Sequence, residues 1–92
     1  MTYEKDPDAR LDYFWDWTDW LGPAELITNH SFSIVPILGV ELDTSSVSTD
    51  GKKVVAWLIG GEENTAVDVT CHIITNEGRE DDRTMNIWVK ER

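Results

Sequence analysis

Residues 11–17, Leu11-Asp12-Tyr13-Phe14-Trp15-Asp16-Trp17, decide how this chain is read. Apolar side chains take the odd positions, Leu11, Tyr13, Trp15 and Trp17, and Asp12, Asp16 and Thr18 take even ones. A period of two is the mark of a β-strand with one face buried and one wet. The helical alternative over residues 8–17 sets its aromatics against their strand preference. Trp15 and Trp17 are therefore expected in a core. Phe14 and Trp20 break the parity and are expected on the outer face or beyond a bulge.

The pattern repeats outward from there. Gly22-Pro23 marks a turn. A strand is expected from Leu26-Ile27 through Phe32 and Ile34, ended by Pro36, and a short one around Val40 and Leu42. Residues 45–53, with Asp50-Gly51, read as a turn. Residues 53–61 (KVVAWLIGG) are almost continuously apolar, as in a strand buried on both faces or nearly so. Residues 65–75 alternate through Val67, Val69, Cys71 and Ile73. Residues 76–81 read as a turn, and the last strand carries Met85, Ile87 and Val89 on one face with Trp88 on the other. The fold class is thus all-β, an antiparallel sandwich of about six to seven strands. Residues 1–10 are expected to form an extended N-terminal arm, with Pro7 opposing helix, and residues 11–92 the sandwich domain.

At 92 residues the chain is one domain with a modest core. One cysteine permits no intrachain disulfide. The opening MTYEKDPDAR has no apolar run, so no signal peptide is expected, and no segment approaches a membrane span. Asn29-His30-Ser31 fits a glycosylation sequon, read as coincidence without such a signal. The formal charge is −10, from 18 acidic and 8 basic residues. That balance repels a phosphate backbone, so nucleic acid is not an expected partner, and neither is a membrane.

Candidate chemistry is thin. Cys71-His72 pairs a thiol with an imidazole, but strand neighbours point to opposite faces, and Cys71 shares parity with the core set. His30 with Ser31, Ser33, Ser45, Ser46 or Ser48 lacks the strained turn of a hydrolase nucleophile. His30 and His72 lack a third metal ligand at a suitable spacing. Asp12/Asp16/Asp19, Glu62-Glu63 and Glu80-Asp81-Asp82 lack the ligand order of a calcium loop. Gly60-Gly61 leads into no helix and carries no lysine, so it is a turn rather than a phosphate cradle. No catalytic residue, metal or cofactor is expected. The aromatic–carboxylate alternation also suits a carbohydrate-binding module, if Phe14, Trp20 and Trp88 form an exposed patch. Such a patch more often marks a protein interface.

The arm motif Lys5-Asp6-Pro7-Asp8 runs through "RLDY" into "DWTDWL". "VVAWLIGG", "VDVTCHIIT" and "GREDDRTMNIWVKER" follow. In this the chain resembles a group of small proteins encoded among the tail genes of tailed bacteriophages and prophages. "LGPAELI" and Cys71-His72 depart from the group's pattern. The resemblance implies an immunoglobulin-like virion protein, a non-enzymatic adaptor joining tail and fiber components. It would be assembled in the bacterial cytoplasm and repeated as a ring. A head–tail connector or decoration protein is the related alternative. Lys5, Asp6, Pro7 and Asp8 of the arm, with Phe14, Trp20 and Trp88, are the expected partner contacts. Deleting residues 1–10 is expected to weaken assembly without unfolding the domain. Exposed strand edges are expected to dock, though which edge is open.

Overall fold

The computed structural model describes residues 2–36 and 39–90. The outermost ends of the expected arm and domain, Met1 and Glu91-Arg92, lie outside them. The elements are β1 (Thr2–Lys5), β2 (Leu11–Asp16), β3 (Ile27–Val35), β4 (Val40–Val47), β5 (Lys53–Gly60), β6 (Thr65–Thr75) and β7 (Glu80–Val89). They form a four-stranded sheet, β1-β7-β6-β3, and a three-stranded sheet, β2-β5-β4. All pairings are antiparallel except that of β1 with β7, which is parallel. The six strands within residues 11–92 are thus antiparallel as expected, and the parallel pairing belongs to β1, inside the stretch expected as an arm.

The two sheets enclose one core. β2 contributes Tyr13 and Trp15, β5 contributes Val54, Ala56 and Leu58, and β6 contributes Val67, Val69, Cys71 and Ile73. Met85, Ile87 and Val89 complete it from β7. Each fully buried Val, Leu or Ile among them stabilises the fold by roughly 1.5–3 kcal/mol. Trp15 meets Phe32 of β3 edge-on across the core, with centroids 5.1 Å apart. The alternation of residues 11–17 thus delivers its core set, with one exception. Leu11 is partly exposed, as is Leu42, and in register they flank the fully buried Leu58. β2 and β4 are edge strands, so these two are covered from one side only.

Strand β2 stops sooner than the sequence suggests. Trp17 is fully buried, its N–H donates to Lys52 O at 3.0 Å, and its indole Nε1 donates to Asp81 Oδ2 at 2.9 Å. The chain then turns, with Trp20 and Leu21 N–H both donating to Trp17 O. Trp20 therefore lies beyond the reach of the strand parity that placed it on an outer face. It is half-buried, with the Arg79 guanidinium 4.0 Å over its ring.

Residues 2–5 do not stand off the domain as an arm. They form β1, and Lys5 is completely buried. Its ammonium donates to Asp6 O (2.9 Å), Ala9 O (2.6 Å) and Gly60 O (2.7 Å). Residues 6–9 form a turn around it, closed by Ala9 N–H to Asp6 O at 3.1 Å. A lysine can be buried this way because three carbonyls replace its hydration. Gly60 and Gly61 shape the far side of this contact at φ 74° and 121°. A Cβ on Gly60 would lie 2.4 Å from Gly39 O, so only glycine lets β4 and β5 meet there.

β4 continues through Val47, consuming part of the expected turn. What remains is closed by Ser48 and Asp50, whose side chains accept from Lys53 N–H (3.1 Å) and Lys52 N–H (3.1 Å), with Gly51 at φ 72°. β7 likewise starts at Glu80, inside the expected turn.

Candidate functional site

The near-continuous apolar run of β5 turns out to serve two faces. Val54, Ala56 and Leu58 are buried between the sheets, while Val55, Trp57 and Ile59 point outward and are only half-covered. Register fixes their surroundings. Val55 lies between Phe14 of β2 and Ser46 of β4, Trp57 between Asp12 and Thr44, and Ile59 beside Glu41. Phe14 is 58% exposed. The outer face of the three-stranded sheet therefore carries an apolar strip, Phe14, Val55, Trp57 and Ile59. Carboxylates rim it: Asp12 and Asp16 on one side, Glu41 and Asp43 on the other. Arg10 lies 4.3 Å over the Trp57 ring and donates to Asp43 at 2.6 Å, covering part of the strip. Sequence reading singled out Phe14 but missed Val55, Trp57 and Ile59. The signal was the unbroken apolar run itself, in a chain with too few elements to cover both faces of a central strand.

The other expected contact residues do not gather with Phe14. Trp88 is 38% exposed on the outer face of the opposite sheet, in register with Ala66 and Glu4. Trp20 sits under Arg79 at a sheet end. Lys5 is inside, and Asp6, Pro7 and Asp8 form the turn around it, with Asp8 N–H on Asp6 Oδ1 at 2.8 Å. Trp15 and Trp17 are buried and offer no ring to a sugar.

The polar candidates resolve into structural contacts. Cys71 is buried, and burial pushes its thiol up to about 12. His72 points to the opposite face, where Asp82 (2.5 Å) and Glu80 (2.9 Å) hold its two ring nitrogens and raise its pKa. His30 Nε2 meets Ser45 Oγ at 2.9 Å, and no carboxylate holds its other nitrogen among the described residues. Among the described residues no three His, Cys, Asp or Glu side chains gather as a metal site. In β7 the acidic run is split by strand alternation: Asp81 turns inward to Trp17, Glu80 and Asp82 outward to His72.

One unexpected cluster anchors the turn after β2. Glu25 is 1% exposed. Its Oε2 accepts from Arg79 Nε (2.9 Å) and Thr75 Oγ1 (2.6 Å), and its Oε1 from Gly22 N–H (3.0 Å) and from Arg79 Nη2. The Arg79 guanidinium, the Gly22 amide and the Thr75 hydroxyl hold its carboxyl down at about 2. Arg79 Nη2 also donates to Trp20 O at 3.0 Å. The cluster ties residues 20–25 to the β6–β7 turn and leaves Glu25 no vacant oxygen for a ligand.

A search of curated proteins finds no match. The family described as "Podophage GP4 fiber-tail adaptor protein gp77" matches residues 5–88, from the buried Lys5 to the exposed Trp88. With nearly the whole sandwich inside that match, the chain belongs to this phage fiber–tail adaptor family of virion proteins.

Proposed function

We propose that the protein joins tail and fiber components of a phage particle by protein contact alone, without catalysis, and docks through the outer face of its three-stranded sheet. The observation that carries this is the half-covered strip Phe14-Val55-Trp57-Ile59 inside a carboxylate rim. An apolar centre with a polar rim is the anatomy of a protein interface. The division of strands supports the immunoglobulin-like reading, because that fold also separates its B, E and D strands from its C, F and G strands. Repetition as a ring around the tail axis, and assembly in the host cytoplasm before incorporation, belong to the same reading. A glycan-binding role is not favoured, since the two most exposed aromatics, Phe14 and Trp88, lie on opposite sheets.

Quantitative mass spectrometry of purified virions tests the placement. A fixed stoichiometry to tail and fiber proteins is expected. Absence from intact particles, with the protein present in the lysate, overturns it. Val55→Glu tests the face: it points outward, so the fold should persist while incorporation falls at least ten-fold. Incorporation at the wild-type level would remove this face from the interface.

A further inference from the structure

Beside that face lies an open flank of the sandwich. Among the described residues β2 pairs only with β5. Trp17 N–H reaches Lys52 O, just before β5, and strand alternation then turns the backbone groups of Asp12, Phe14 and Asp16 the other way, onto the edge that no strand covers among the described residues. Arg83 of the opposite sheet confirms the direction, donating from Nη1 to Asp16 O at 2.5 Å. β7 faces the same flank. Among the described residues β1 covers its outer edge only from Asn86 onward, and residues 80–84 carry no strand there. Between the two edges is a cavity of about 410 Å³, lined mainly by Tyr3, Phe14, Trp15, Arg83, Thr84 and Met85. Trp15 is buried, yet its indole N–H has no acceptor among the described residues.

Resting on the adaptor reading above, we propose that an extended segment of a tail or fiber protein, apolar at alternate residues with Lys or Arg between them, adds a strand to the free edge of β2 and seats its apolar side chains in this cavity. Unpaired edge amides and carbonyls supply the affinity of strand addition, and pockets for alternate side chains supply its specificity. The charge of the occupant follows from the edge itself. Asp12 and Asp16 flank Phe14, and the chain carries −10 overall. A second copy would bring carboxylates against carboxylates, which is destabilising across a strand pair, whereas Lys or Arg is matched. The edge of β2 is favoured over that of β7 because, among the described residues, no strand lies along any part of it and only Asp16 O is taken, by Arg83, whereas β1 covers part of β7.

The test uses two arms. Amide NMR of the full chain is followed on titration with a nine-residue peptide alternating Val and Lys, and with its Val/Glu counterpart. The expected result is shifts confined to residues 11–16 and 80–85, at least ten-fold tighter binding of the Lys peptide, and ten-fold loss with Phe14→Ala. Equal binding of both peptides, no binding, or shifts confined to Val55–Ile59 or Trp88 overturns the proposal. In the second arm the chain is mixed with the virion's purified tail and fiber proteins, and hydrogen exchange is measured. Protection of 11–16 in a complex supports the proposal, and a complex with protection only elsewhere overturns it while leaving the adaptor reading. If no complex forms although the Lys peptide binds at β2, the adaptor reading fails and the strand-accepting edge stands.

Discussion

Glu25 is a carboxylate inside a small β-sandwich, and its three partners make it a stability switch. Its folded pKa, about 2, lies below the ordinary carboxylate value of 4.5. Acid protonates it first in the unfolded chain, so its contribution is complete above pH ~4.5 and is lost as pH falls toward 2. Urea midpoints measured from pH 6 to 2 should fall through that window, and Glu25→Gln should flatten this part of the profile while lowering the midpoint at pH 6. His72 works in the opposite sense. Asp82 and Glu80 raise its folded pKa, so its contribution is complete below pH ~6.5 and is lost as pH rises through the folded value. Cys71 gives a third expectation: native protein at pH 8 should resist iodoacetamide, and labelling should appear only with unfolding. The core location of Cys71 was legible from parity alone. Glu25 was not, because nothing local distinguishes it from an exposed turn glutamate. Its partners Thr75 and Arg79 lie about fifty residues away.

At the scale of elements, β1 carries the sharpest difference between sequence and structure. A polar stretch with a proline reads as an arm, but Lys5 makes it part of the fold by reaching Gly60 O on β5. Lys5→Met keeps the stem and leaves the Ala9 and Gly60 carbonyls unpaired. It should cost on the order of 2–3 kcal/mol, read as a lowered thermal midpoint. Deleting residues 1–10 should therefore destabilise the domain itself and not merely loosen assembly, a difference that circular dichroism melting will resolve. A shortened chain that melts with the wild type would restore the arm reading. Gly60→Ala should also destabilise, because its Cβ would press on Gly39 O at a positive φ.

The whole molecule is elongated, 42 × 21 × 19 Å, with a hydrophobic layer inside and a second, half-covered one on β5. Its net charge of −10 adds a long-range term to whatever docks there. If the partner segment is basic, association should slow by at least ten-fold between 50 and 500 mM salt, with dissociation changing much less, since steering is screened and apolar contact is not. Stopped-flow or surface-binding kinetics with the tail and fiber proteins will separate the two rates. A salt-independent on-rate would argue against charge complementarity at the β2 edge.

The sequence by itself determined the six strands β2–β7 and the faces most of them turn inward, but not β1. A period of two is a local property, and burial follows it at Trp15, Val67, Val69, Cys71, Ile73, Met85, Ile87 and Val89. The motifs carrying the family resemblance were equally local. Only the tertiary structure decided what happens where distant segments meet. It buried Lys5 in carbonyls from two segments, turned Trp20 out of its strand under Arg79, and left the outer face of β5 half-covered and one edge of β2 without a neighbouring strand among the described residues. Those outcomes depend on which strands become neighbours, and periodicity, which fixes the face a residue takes, carries no information about which strand lies beside it.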